Sequence, residues 1–128
     1  MNHWTEHYIG APYVEGKNDC ASFTARVQRE WFGREIPLPV DREANYLGWS
    51  RQIESHREDY AAPTETPEEG DAVLMIGRGR LNHLGTYCLI GGEQYVLHAM
   101  KSAGQVVLHR VRDLPMYGLT VEGFYRWR

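Results

Sequence analysis

The segment HLGTYCLIGGEQYVLHAM, residues 83 to 100, limits the fold more than any other part of the chain. Two runs with strand character flank Gly91 and Gly92. Paired glycines between such runs signal a tight hairpin, because both central residues of that turn need positive φ. A two-residue turn sets Ile90 opposite Glu93, and counting back sets Gly85 opposite His98. Opposed residues share a sheet face, as do residues two apart on one strand. His83 and His98 therefore fall on one face as diagonal neighbours, and Gly85 leaves room for the ring between them. A four-residue turn keeps this parity, whereas a three-residue turn breaks it. Cys88 has the opposite parity to His83 and reads as a small apolar core residue.

The rest of the chain sets the hairpin in an α+β frame. Asp19 is a helix N-cap, and Phe23, Val27 and Trp31 follow at four-residue spacing, so a helix is predicted over residues 20 to 32 with Gly33 as its stop. Pro37 and Pro39 stiffen a connector, and a second helix is predicted over 42 to 58. "AAPTETPEEG" reads as a polar loop. Beyond residue 70 the period becomes strand-like in "DAVLMI", "HLGTYCLI", "EQYVLHAM", "QVVLHRV" and "VEGFYRW", with "RGRLN" as a loop or bend. Short connections predict a meander of about five antiparallel strands. A length of 128 residues argues for one domain, residues 1 to 128.

Composition excludes several classes. A net charge of -3 gives no footprint for DNA or RNA. No apolar run approaches the roughly 20 residues of a membrane span. "MNHWTEHYIG" does not have the pattern of a Sec signal peptide, so synthesis in a cytoplasm is expected.

Cys20 is the residue to explain. A packing cysteine would sit deeper in the apolar stripe, but this one opens the helix, where the backbone dipole favours thiolate. If the helix packs on the histidine face, Cys20, His83 and His98 make a nucleophile, a base and an orienting group. The N–H groups near Cys20 and Ala21 have no partner within the helix and are candidates for an oxyanion hole. The bland reading is a chance meeting of a helix-start cysteine and two strand histidines; a zinc site built from Cys20, His83, His98 and His109 is the first rival, but no short-spaced Cys or His pair supports it. His3, His7 and His56 read as solvated, and Trp4, Trp31, Trp49 and Trp127 as packing groups. Arg78 and Arg80 read as belonging to a solvated loop.

"IGAPYVEGKNDCASFTARVQREWFGREIPLP", "EEGDAVLM" and "NHLGTYCLIGGEQYVLHA" resemble, in that order, the Gly-x-Pro-Tyr, Asp-Cys helix, Gly-Asp strand start and His-Val-Gly hairpin of the NlpC family of cell-wall cysteine peptidases. The resemblance covers about residues 8 to 110. It implies a papain-like fold with the cysteine helix packed on an antiparallel sheet, and hydrolysis of amide bonds in peptidoglycan stem peptides. It implies Cys20 as nucleophile, His83 as base, His98 as third polar residue and Tyr13 as a hydroxyl near the reacting centre. Asp19 matches the family Asp and reads as a cap. No cofactor or metal is implied. The chain departs from the family at Ala21-Ser22, where Ser-Gly is usual, and at Glu15-Gly16-Lys17. A wall hydrolase without an export signal fits the small forms carried in bacteriophage tails, which the segment from Val106 onward also resembles, so other tail proteins are expected partners. A tail scaffold with little activity, and acyl transfer by the same triad, are the alternatives.

Overall fold

The structure is a computed structural model and describes residues 3–36 and 59–128. The helix expected over 42 to 58 lies outside the described residues. Helix α1 spans Cys20–Glu30. Its start is set by Asp19, whose carboxylate accepts the Ser22 N–H at 3.0 Å, while Ser22 Oγ accepts the Asp19 N–H at 2.9 Å. This reciprocal cap satisfies two donors that the helix cannot. It also gives Ser22, one of the departures from the family pattern, a structural task. Cys20, Phe23, Thr24, Val27 and Gln28 form the buried stripe.

Six strands follow: β1 (Ala61–Thr64), β2 (Ala72–Gly77), β3 (Arg80–Ile90), β4 (Glu93–Met100), β5 (Gln105–Arg110) and β6 (Leu119–Trp127). They form one antiparallel sheet in the order β1-β6-β2-β3-β4-β5. The molecule is thus α+β, as the periodicity implies. The register between β3 and β4 sets Ile90 opposite Glu93 and Thr86 opposite Leu97, as the two-residue turn requires.

Three details differ from the sequence reading. "RGRLN", expected as a loop or bend, turns only at Arg78 and Gly79, at φ of 55° and 75°, and β3 already begins at Arg80. Ala61–Thr64, expected in a loop, is an edge strand on β6, a place that tolerates Pro63. The sheet is also not a simple meander. After β5 a 3-10 helix, Val111–Tyr117, carries the chain back across one face with Leu114 fully buried, so β6 pairs with β2 instead of extending past β5.

Each face of the sheet holds part of the core. On one, Phe23 and Val27 of α1 pack with Tyr8, Leu97, Ala99 and Val106. On the other, Leu114 packs with Val73, Met75, Tyr87, Val96 and Leu119. No helix among the described residues is long and apolar enough to cross a membrane.

Candidate active site

His83 and His98 meet as the strand parity requires. His83 Nε2 lies 2.7 Å from His98 Nδ1, with the rings nearly perpendicular. Two local features produce this approach. Gly85 lies between them, and a Cβ there would stand 2.5 Å from Val96 Cγ2 and 3.1 Å from His98 Cβ. Just before His83 the β2–β3 register shifts between Met75 and Ile76, which makes Asn82 the extra residue of a bulge. The extra residue kinks the strand and re-aims the side chain that follows. Asn82 Oδ1 accepts the Gly77 N–H at 3.1 Å, which holds the bulge.

Burial decides the charge of these rings. Desolvation lowers His83 to about 4. His98 is fully buried and is held well below the ordinary histidine value, first by desolvation and then by the neighbouring imidazoles of His83 and His109. Both rings are neutral at pH 7, so each carries a single ring proton.

His109 completes a line that the sequence reading assigned only to a rival zinc site. Its Nδ1 lies 3.1 Å from His98 Nε2, and Tyr117 stacks flat on its ring at 3.9 Å. The facing nitrogens of His83, His98 and His109 hydrogen-bond one another in sequence instead of converging on a point. The signal for His109 was its parity: Val96 opposes it, so it shares the His98 face.

Cys20 begins α1 and is 9% exposed. The helix does not pack on the histidine face. Phe23 and Val27 pack on Leu97 and Ala99, the two residues that alternate with His98. Cys88, opposite Tyr95, shares that helix-covered face and is fully buried; desolvation, then the charge of Glu69, pushes its thiol up to about 12. The condition set for a shared face is therefore not met by the helix body. The β3–β4 ladder ends at Thr86–Leu97. Beyond that point β3 continues on β2, and β4 continues on β5. His83 and His98 both lie beyond it, where the two strands part.

The remaining candidates sit around the helix start. The cap takes the N–H of Ser22, and the Asp19 carbonyl takes that of Phe23 at 2.9 Å. Thr24 Oγ1 donates to the Cys20 carbonyl at 2.7 Å. Tyr13 is fixed by its N–H to Gly104 O at 2.9 Å, and its ring packs against the cluster of Tyr8 and Phe23. Gln28 Nε2 donates to Gly70 O at 3.0 Å, tying α1 to the turn that leads into β2. Among the described residues no group of three His, Cys, Asp or Glu side chains is arranged to hold a metal ion. No family model, curated protein or solved structure matches the chain.

Proposed function

We propose that the protein is a papain-like cysteine peptidase of NlpC type that cleaves amide bonds in peptidoglycan stem peptides. The observation that carries the reading is the 2.7 Å pairing of His83 Nε2 with His98 Nδ1, with His83 neutral and placed where β3 parts from β4. That bond occupies one nitrogen of His83 and turns Nδ1 into the working base. The gap between the strands is the place where a thiol at the start of α1 can reach it from the opposite face.

In this mechanism Cys20 Sγ attacks the scissile carbonyl as His83 Nδ1 takes the thiol proton. The tetrahedral oxyanion meets the N–H groups of Cys20 and Ala21 at the positive end of α1. The C–N bond breaks as His83 returns the proton to the leaving amine. Water then attacks the thioester, with His83 again as base, and the thiol is regenerated. Tyr13 contributes its hydroxyl beside the carbonyl. The tail of a bacteriophage is the proposed setting, with other tail proteins as partners. Digestion of purified peptidoglycan, with mass analysis of released fragments, tests the reading. Free stem-peptide fragments from wild-type protein and none from Cys20→Ala are expected. Intact wall after prolonged incubation with wild-type protein would favour the scaffold, and fragments joined to an added amine would favour acyl transfer.

A further inference from the structure

We infer that His109 is a positioning residue, the outer member of a directed imidazole chain in which His98 Nε2–H donates to His109 Nδ1 and His83 Nε2–H donates to His98 Nδ1. The inference rests on the peptidase reading for the role of the chain, but its direction can be measured without turnover.

The argument is one of proton bookkeeping. Three neutral imidazoles carry three ring protons, one each. Two internal contacts, 2.7 Å and 3.1 Å, each need one proton between two nitrogens. Only two coherent arrangements satisfy both. In the first, protons sit on Nε2 of all three rings and every bond points outward, from His83 to His109. In the second, protons sit on Nδ1 of all three and every bond points inward. The inward chain puts a proton on His83 Nδ1, the atom that must accept the thiol proton. Only the outward chain leaves that atom open.

The surroundings favour the outward direction. When His83 takes a proton, positive charge drifts along the donated bonds toward His109. Desolvation lowers His109 overall, which keeps it neutral at rest, and the Asp113 carboxylate opposes that effect and eases positive charge there. His98 is fully buried and has no solvent to supply an alternative acceptor, whereas His109 is only half-buried and its Nε2 proton can reach water. The flat stack of Tyr117 holds the His109 plane, at 11° between rings, so that Nδ1 stays aimed at His98. His109 thus acts on His83 through His98.

Nitrogen-15 NMR of ring nitrogens in the Cys20→Ala protein reads the tautomers directly. The expected spectrum shows His98 protonated on Nε2 and unprotonated on Nδ1. His109→Asn places an amide oxygen near the position of Nδ1 and should keep that tautomer, while His109→Phe keeps the aromatic stack but removes the acceptor and should shift His98 toward a mixture. On a stem-peptide substrate, His109→Phe in the Cys20 protein should lower kcat by roughly 10- to 100-fold with KM little changed, as loss of an outer partner does for other oriented imidazoles, and His109→Asn should restore most of it. Protonation of His98 on Nδ1 in the otherwise wild-type rings would overturn the inference, even if His109→Phe fails to fold. An unchanged His98 tautomer in a folded His109→Phe protein would overturn it as well. Absence of turnover in wild-type protein would instead count against the peptidase reading and leave the spectrum to decide the chain.

Discussion

Gly85 has no room for a methyl group: Val96 Cγ2 and the Cβ of His98 already occupy the space. Gly85→Ala should therefore cost about 1–3 kcal/mol and push His98 out of line, measurable as a lower denaturation midpoint together with lost activity. The roles of the two histidines differ in kind. His83→Ala removes the base and should lower kcat/KM on the order of 10^4-fold. His98→Ala should cost less, because water can enter the vacated site and hold His83 Nε2. Steady-state rates of the two variants on one substrate separate them; equal losses would contradict the division of labour. This pair was legible in the sequence because strand parity is rigid once a turn length is fixed. His109 shared the same parity but was not grouped with the pair, since its proximity depends on how β5 pairs with β4, which the hairpin does not determine.

At the scale of elements, the start of α1 is the most informative. Asp19→Ala removes the carboxylate half of the reciprocal cap, the acceptor of the Ser22 N–H, and should cost about 1 kcal/mol, seen as a fall in Tm of roughly 3–5 °C. Asp19→Asn keeps an acceptor for Ser22 and should recover most of the loss. The helix start, the Gly-Gly hairpin and five of the six strands were readable because caps, tight turns and period-two runs are local signals. The packing face of α1 was not readable. A helical stripe says that a face is buried but not against what, and here Phe23 and Val27 chose Leu97 and Ala99 over the histidine side. Ala61–Thr64 was missed for a related reason: a four-residue edge strand containing Pro63 carries no period of its own, and its pairing comes from β6.

The whole molecule buries its titratable machinery, and that has a pH consequence. Desolvation lowers His83 to about 4 while an unfolded histidine titrates near 6.5. The unfolded chain then binds more protons across this window, so stability is full above pH 6.5 and is lost as pH falls toward 4, by up to about 3 kcal/mol from this group. Urea midpoints of Cys20→Ala should decline over that range, and His83→Phe in the same background should flatten the decline. The arrangement of six strands around a split between β3 and β4 was beyond the sequence, because β6 returns to β2 only through the 3-10 helix that crosses the sheet. The proposed mechanism depends on that split, through which a thiol on the helix side would meet an imidazole on the other. The most direct test is the rate of alkylation of the folded protein at neutral pH, resolved by peptide mapping. Rapid labelling of Cys20, slowed many-fold in His83→Ala, with Cys88 unmodified, is the predicted result. Labelling of Cys88 first, or a Cys20 rate indifferent to His83, would contradict the account.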